Sequence, residues 1–438
     1  MVRKKKSKAG FKIKGLIWLL VIFFFVLSHY TYQYFFSSTN NHTKVHIPAQ
    51  IQYLDDRDPL KQYSVDEINQ AIDLSADYLN KRINPSGQFV YRTNLNGHVI
   101  VQDKYNILRH AGTIYALCNY YKHTGDQNSL DHALLACGFM LNTSIKPVSD
   151  TLNLYGIWSL PQINKAKDQT QLKLGGTGIG LLALLTYWDC NPEFLDQDLY
   201  MRMGDFLIYM QKEDGSFYSK YYPETGRDDR WTSLYYPGEA ALGLVRLYEQ
   251  TKDIKYLKSA AKAINYLFNY RLGKERVEAD HWALLASERL LLYSDLYTDV
   301  VSREKIELHA AQICKSILNE YPYFPEDSPY YGSLTNNGRT TPTATRLEGL
   351  ISAYNFLSEN FVYLKRDMMN VIPGGINFLV RSQIQQEELK GGIPRAYFVS
   401  EELQLYNGIK PDSRDTEVRI DYNQHAMCAM MQYLEMIK

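Results

Sequence analysis

The sequence predicts an all-α fold in which six helical hairpins close into a toroid, an (α/α)6 barrel. Beyond residue 60, segments rich in small and apolar residues alternate with amphipathic segments that carry one charged side. A helix that is apolar on nearly every face is buried on nearly every face, whereas an amphipathic helix covers a core. Six segments of each kind in strict alternation therefore indicate an inner ring of helices enclosed by an outer ring.

The predicted elements follow from this alternation. The inner helices start at Arg109, Leu174, Tyr235, Asp280, Thr345 and Ile420. The outer helices start at or near Val65, Ser129, Asp196, Thr251, Arg303 and Lys365. Three long connections after outer helices, GQFVYRTN, DGSFYSKYYPETGRDDRW and GGIPRAYF, share a glycine, an aromatic and a basic residue in that order. We expect them to form short β-hairpins over the mouth of a cavity, with Phe217, Tyr218, Trp231 and Tyr397 as aromatic platforms.

The first 60 residues have a different character. Seven lysines and arginines lie in residues 1–14, a predicted cytoplasmic tail, and residues 15–36 are uncharged. At ~1.5 Å per residue this stretch reaches about 33 Å, enough to cross a lipid bilayer. The positive-inside rule then places everything after a stalk at residues 37–60 outside the cytoplasm. A cleaved signal peptide is the alternative, although no small-x-small cleavage site follows the apolar run.

Charge and cysteine content exclude several classes of protein. Without the basic tail the chain holds 41 basic and 48 acidic residues, which argues against a nucleic-acid-binding surface. The five cysteines are widely spaced, with no CxxC pair and no clustered histidines. A disulfide scaffold or a zinc site is therefore not expected, and no cofactor is predicted.

The amino ends of all inner helices should open on one face of the toroid, the rim. Exposed backbone N–H groups and the positive end of the helix dipole make such a rim suitable for anionic or hydroxyl-rich ligands. The sequence places its polar residues there, and each of them could also simply cap its helix. The residues predicted to line the cavity are Arg109, His110, Glu239, Asp280, His281, Trp282, Arg346, Glu348, Asp421, Tyr422 and His425.

Residues 60–438 resemble the six-hairpin glycosidase-like superfamily. QKEDGSF at residues 211–217 and YYPGEAALGLVRLYEQT at residues 235–251 are similar to segments of that group. It includes glycoside hydrolases, unsaturated glucuronyl hydrolases, N-acylglucosamine epimerases, helical domains of polysaccharide lyases and a glucuronyl C5-epimerase toroid. The resemblance implies a carbohydrate substrate and leaves the reaction open. Prenyltransferases, terpene cyclases and LanC-type cyclases share the geometry. This sequence has no DxDD or DDxxD string and no visible zinc-binding set, so they are minor alternatives.

Hydrolysis of a glycosidic bond needs one protonated and one ionised carboxyl group across the bond. Glu239, Asp280, Glu348 and Asp421 are the candidates, since each is expected in the first turn of a different inner helix. Asp214, Phe217 and Trp231 are expected to bind substrate from a loop. Stabilisation of the helix dipole is the competing explanation for an acid at a first turn.

Arginine and histidine open a second possibility. Arg109 and Arg346 suit an anionic glycan, although a pairing of Arg346 with Glu348 would also explain that arginine. On a uronate, arginine can neutralise the carboxylate while Tyr422, His110, His281 or His425 moves the C5 proton. Lyase or C5-epimerase chemistry is therefore an alternative to a membrane-anchored hydrolase of a polysaccharide.

A third possibility is a noncatalytic toroid that holds polymer for a polysaccharide synthesis or export machinery. The convergent acids and histidines favour an enzyme, because a binding module needs aromatic residues but no such set. The partners expected from the sequence are a polysaccharide or oligosaccharide, and the lipid bilayer through the N-terminal helix.

Overall fold

The computed structural model describes residues 54–165, 169–194, 196–385 and 387–438. The predicted cytoplasmic tail, membrane anchor and most of the stalk lie outside these ranges. Within them, no helix is both long and apolar enough to cross a lipid bilayer.

The described chain is mostly helical. Its α-helices are α1 (Val65–Asn80), α2 (Ile107–Thr124), α3 (Gln127–Thr143), α4 (Pro161–Asn164), α5 (Leu174–Cys190), α6 (Gln197–Tyr209), α7 (Tyr236–Thr251), α8 (Ile254–Arg271), α9 (His281–Leu291), α10 (Arg303–Asn319), α11 (Thr340–Phe356), α12 (Val362–Met369), α13 (Ile372–Ser382), α14 (Glu401–Tyr406) and α15 (Ile420–Met436). Single 3-10 turns lie at Ser294–Leu296, Glu359–Phe361 and Glu387–Leu389.

Six of these helices form the inner ring. Around the ring, α2 packs against α5, α5 against α7, α7 against α9, α9 against α11 and α11 against α15, and α15 closes onto α2. The outer helices are α1, α3, α6, α8, α10 and the pair α12 and α13, and each packs on at least one inner helix. The predicted all-α toroid is therefore confirmed.

Close packing in the ring depends on small residues. The first fourteen residues of α5 are all buried. A Cβ atom added to Gly178 on α5 would lie 2.6 Å from the Glu239 carbonyl oxygen, and one added to Gly243 on α7 would lie 2.7 Å from the Gly178 carbonyl oxygen. Only glycine permits this approach of two helix backbones, which explains the nearly uncharged, glycine-rich inner segments.

Two predicted helix boundaries were wrong. The fifth inner helix begins at Thr340 rather than Thr345, because Pro342 lies in its first turn, where no backbone N–H is needed. The outer helix expected from about Lys365 to Ser382 is divided into α12 and α13. Pro373, in the first turn of α13, lacks the N–H that a continuous helix would require.

Short strands lie beside the amino ends of inner helices. They are β1 (Arg92–Asn94), β2 (Ile145–Pro147), β3 (Tyr155–Ser159), β4 (Gln171–Lys173), β5 (Lys220–Tyr222), β6 (Gly226–Asp228) and β7 (Glu417–Arg419). β1 pairs antiparallel with β7, and β2 to β6 form a five-stranded antiparallel sheet in chain order. β4 and β7 continue directly into α5 and α15, so both sheets adjoin the rim. The connection GGIPRAYF contributes only isolated bridges.

Candidate active site

The rim brings together a histidine cluster from three inner helices. His425 on α15 has its Nδ1 atom 2.7 Å from Oε2 of Glu348 on α11. The ring of His281 on α9 lies edge-on to that of His425, with centroids 5.4 Å apart, and Trp282 packs against both imidazoles. Glu348 lies in the third turn of α11 rather than the predicted first turn, because that helix starts five residues earlier than expected.

Burial determines the charge state within this cluster. His281 Nε2 is buried without a hydrogen-bond partner, and burial, together with the neighbouring His425, holds the pKa of His281 well below its usual value. The imidazole of His281 is thus neutral with an unused nitrogen. Burial also raises the pKa of Glu348, although His425 acts in the opposite direction.

The same three side chains could hold a metal ion. One ligand atom from each of His281, Glu348 and His425 lies within 4.8 Å of the other two. Imidazole and carboxylate are suitable ligands for zinc and other transition metals. The sequence did not reveal this set, because its members are far apart along the chain.

Beside the histidine cluster, two arginines hold one carboxylate. Arg419 contacts Asp421 through two hydrogen bonds, Nε to Oδ1 at 2.5 Å and Nη2 to Oδ2 at 2.9 Å. Arg109 Nε lies 2.8 Å from Asp421 Oδ2. Burial of Asp421 opposes its ionisation, but the two guanidinium groups outweigh burial and lower the pKa of this carboxyl. Asp421 is therefore ionised, and its oxygens are largely committed to arginine.

Tyrosines orient these arginines. Arg109 Nη1 donates to the hydroxyl oxygen of Tyr91 at 2.6 Å. The guanidinium of Arg419 lies over the ring of Tyr422, 4.4 Å from its centroid. The Tyr422 hydroxyl donates to Glu417 Oε1 at 2.9 Å, and burial raises the pKa of Tyr422, so this phenol stays protonated.

Glu239 occupies a different environment from the other acids. Its Oε2 atom is buried without a hydrogen-bond partner. Burial, reinforced by the nearby Asp280 and only partly offset by Arg109, raises the pKa of Glu239 to about 8. Gly175 makes room for this side chain, because a Cβ atom there would lie 1.7 Å from Glu239 Oε2. Glu239 is thus a protonated carboxylic acid at neutral pH.

Asp280 proves to be a structural group. Its Oδ1 atom accepts the Ala283 N–H at 3.1 Å and caps α9, while Arg271 Nη2 donates to its Oδ2 atom at 2.7 Å. The residue is 0% exposed. Both oxygens are occupied, so the predicted catalytic role of Asp280 is not supported by its placement.

His110 also lies away from the cavity. It is completely buried, its Nδ1 atom is 2.7 Å from the Tyr105 hydroxyl and its Nε2 atom is 2.9 Å from the Ala136 carbonyl oxygen. Burial lowers the pKa of His110 to about 4. The rings of Phe89 and Phe139 surround this neutral imidazole, which has no nitrogen left for a substrate.

Arg346 is held by groups other than the predicted one. Its Nη1 atom donates to the Leu334 carbonyl oxygen at 2.7 Å, and its Nη2 atom donates to Glu320 at 3.1 Å. It therefore pairs with Glu320 rather than Glu348, and it contributes little free charge to an anionic ligand.

Of the residues expected to bind substrate from loops, only Trp231 is suitably placed. Its ring lies 5.7 Å from that of Tyr236, which begins α7, and the side chain is 49% exposed. Asp214 is an exposed turn residue whose Oδ1 atom accepts from the backbone and hydroxyl of Ser216. Phe217 is buried in the core, as is Tyr397, whose hydroxyl donates to the Leu54 carbonyl oxygen.

No protein-family model and no curated protein matches the chain. Solved structures do match it. Cellobiose 2-epimerase from Bacillus thermoamylovorans superposes with a TM-score of 0.60 at 14% identity, over 85% of this chain and 98% of the other. Cellobiose 2-epimerase from Spirochaeta thermophila gives 0.59 at 12% identity, over 85% and 97%. A family 76 α-mannanase from Bacteroides thetaiotaomicron gives 0.56 at 13% identity, over 84% and 97%. The chain has the (α/α)6 toroid fold of these structures.

Within this toroid, three further residues surround the rim. Tyr91 precedes β1, Tyr236 begins α7 and its ring packs beside Gly175, and Gln424 lies next to His425 with its Oε1 atom buried and unpartnered. Tyr91 lies in the connection GQFVYRTN, which the sequence predicted to cover the cavity mouth, although the residue itself was not singled out. Tyr236 and Gln424 lie at predicted helix starts, and polarity at those starts could have identified them.

Proposed function

We propose that the protein is a sugar epimerase or isomerase that moves a proton between carbon atoms, or between faces of one carbon, by imidazole acid–base catalysis. The observation that carries this proposal is the facing pair His281 and His425, one imidazole neutral and the other bonded to Glu348. Histidine is the side chain best suited to giving and taking protons near neutral pH.

In this proposal the two histidines have different roles, one as base and one as acid. His281, neutral and with an unused nitrogen, takes the proton from the carbon next to the sugar carbonyl. The electrons of that C–H bond form the C=C bond of an enediolate, and the carbonyl electrons move onto its oxygen. His425, whose ring is held by Glu348, returns a proton to the opposite face or to the adjacent carbon. The first outcome is epimerisation. The second is isomerisation, in which the proton of the neighbouring hydroxyl also moves to the former carbonyl oxygen while the new carbonyl forms.

Neighbouring hydrogen-bond donors can stabilise the enediolate oxygen. Arg109 keeps 34% of its side chain exposed while it contacts Asp421, so its guanidinium can still meet a ligand. Glu239 is protonated and can donate a hydrogen bond to the same developing charge. Trp231 offers a flat face for a sugar ring at the mouth.

Names of similar structures support this choice of reaction. They include a sugar epimerase from a ruminal bacterium, two cellobiose 2-epimerases and a D-mannose isomerase. The anionic glycan predicted from the sequence remains a proposal, with Arg109 as the arginine most available to its carboxylate. On this mechanism its reacting unit is the reducing end, where a carbonyl is free. The location outside the cytoplasm, the membrane anchor and an association with polysaccharide assembly also remain proposals that rest on the sequence.

Glycoside hydrolysis is the second candidate, favoured by Glu239 alone. Glu239, with its raised pKa, and the ionised Asp421 both interact with Arg109, and their protonation states are those of a general acid and its partner base. Against it, Asp280, Glu348 and Asp421 each have a tightly bound partner, which leaves Glu239 as the one acid of the predicted four with an unpartnered oxygen.

Turnover in deuterated water distinguishes the candidates. The full chain would be incubated with cellobiose, D-mannose and a uronate oligosaccharide, and the products read by mass spectrometry and NMR. Epimerisation or isomerisation places non-exchangeable deuterium on a carbon, and His281→Asn or His425→Asn should abolish it. His132→Asn, on outer helix α3, is the matched control. A product that gains water without carbon-bound deuterium would establish hydrolysis instead, and binding without any turnover would establish a noncatalytic glycan-binding protein.

A further inference from the structure

A second opening lies at the opposite end of the toroid, where the inner helices end. Two cavities of about 290 and about 310 Å³ share the side chains of Tyr115, Asn119, Lys122, Glu288 and Gln432 there. We call this pair the floor cavity. All six inner helices line it with residues from their middle or carboxyl-terminal turns. The volumes are near the lower end of the ~300–1,000 Å³ typical of ligand pockets.

Cationic side chains of the floor cavity are neutralised within the protein. Lys122 Nζ lies 2.7 Å from Asp189 Oδ2. Arg246 pairs with both Asp189 and Glu249, and Arg289 lies 3.6 Å from Glu249. Asp189 and Glu249 supply two negative charges for these three cations, and Glu288, which lines the cavity near Arg289, supplies a third. The cavity therefore has no excess of positive charge and is not built for an anion.

Its acidic side chains are occupied as well. Glu288 accepts hydrogen bonds from Ser352 Oγ at 2.7 Å and from Asn355 Nδ2 at 2.9 Å. Glu435 contacts Lys438 at 2.5 Å and His123 at 3.7 Å. A cation would have to break these contacts in order to bind.

The groups that remain are neutral hydrogen-bonding side chains and an aromatic ring. Gln432 Oε1 is buried without a partner, and Tyr115 and Asn119, whose side chains hydrogen-bond to each other, line the cavity with an aromatic ring and an amide. Amides, acceptors and an aromatic face together match the hydroxyls and apolar faces of a sugar. We propose that the floor cavity binds a neutral sugar unit of a glycan, as a site separate from the rim.

The two sites lie on one axis. His425 at the rim and Gln432 in the floor cavity are seven residues apart on α15, about 10 Å of helix rise. Because the floor cavity uses none of the residues assigned to proton transfer, binding there does not depend on the proposed function, and it could hold one part of a glycan while another part reacts.

Calorimetric titration of the full chain with cellobiose tests this proposal. His425→Asn serves as the background, so that no turnover interferes. In that background we test two floor variants. Asn355→Trp places a large ring at the cavity wall from an exposed position, and Gln432→Leu removes the unpartnered amide. Each should weaken cellobiose binding at one site at least tenfold. Asn319→Trp, exposed at the end of outer helix α10, is the matched control and should bind normally. Introduced into the unmodified chain, the floor variants should leave turnover of any rim substrate unchanged.

Three results would overturn the proposal. The first is unchanged cellobiose affinity in both floor variants, with melting temperatures equal to that of the background. The second is a single binding site that Trp231→Ala removes, since this would assign all binding to the rim. The third is tighter binding of glucuronate than of cellobiose at the floor cavity, which would exclude a neutral ligand. If no rim substrate were turned over, only the proposed function would be refuted, because the titration measures binding and not turnover.

Discussion

The hydrogen bond of 2.7 Å between His425 Nδ1 and Glu348 Oε2 joins the first turns of the last inner helix to the middle of the fifth. A carboxylate in this position fixes the orientation of the imidazole and stabilises its charged form. The proposed proton donor is therefore held in place by a group that need not touch the substrate, which makes Glu348 a positioning residue.

Replacement of Glu348 tests this relationship. Glu348→Gln keeps the shape of the side chain but removes the charge that stabilises the imidazolium of His425. We expect kcat to fall on the order of 10²-fold or more, by analogy with carboxylate–histidine pairs in other enzymes, and KM to change little. NMR of the histidine ring nitrogens should show a changed hydrogen bond at His425 Nδ1. Glu307→Gln, a buried acid on outer helix α10, is the control, and a kcat unchanged in Glu348→Gln would exclude the positioning role.

Glu239→Gln should make stability less sensitive to pH. The pKa of Glu239 is about 8 in the folded protein, above its value in an unfolded chain, so folding favours the protonated acid. Below about pH 4.5 the carboxyl of Glu239 is protonated in both the folded and the unfolded protein, so it does not lower the free energy of unfolding. Stability is lost as the pH rises from there to about 8, by on the order of 3–5 kcal/mol. The variant should therefore melt at a higher temperature than the unmodified protein at pH 8, with no such gain at pH 4. An equal difference at both pH values would contradict the raised pKa.

Asp280 and Arg271 should stabilise the folded protein as a pair, so that removal of one partner alone is costly. Asp280→Ala removes the cap of α9 and leaves the guanidinium of Arg271 buried without its main partner, so we expect a loss of about 3–5 kcal/mol in the free energy of unfolding. The double variant Asp280→Ala with Arg271→Met removes the stranded charge and should recover part of this loss. Urea unfolding measures both. A double variant less stable than the sum of its single changes would contradict this account.

The fold was predictable because the residues of a helix themselves indicate which of its faces are buried. The uncharged stretch from Leu174 identified an inner helix without any knowledge of its neighbours. Roles at the rim were harder to predict, because they depend on partners from other helices. The sequence predicted Asp280 to be a catalytic acid, but Arg271, at the end of an outer helix, binds its carboxylate. The sequence also predicted His110 to be catalytic, but Tyr105 and Ala136 occupy both of its ring nitrogens.

Gly175 offers the sharpest test of Glu239, because its neighbour provides a matched control. A Cβ atom at Gly175 would lie 1.7 Å from Glu239 Oε2 and 2.5 Å from the ring of Tyr236, whereas one at Gly176 would lie 3.8 Å or more from any neighbour. Both glycines are in the first turn of α5, so both alanine substitutions gain similar helix propensity, up to ~1 kcal/mol. Gly176→Ala should therefore be neutral or stabilising, with unchanged turnover. Gly175→Ala forces the acid out of its cavity and should lower kcat at least tenfold, while unfolding measurements show a loss rather than a gain in stability. If the two variants behave alike in both assays, the close contact between Gly175 and Glu239 has no part in the reaction.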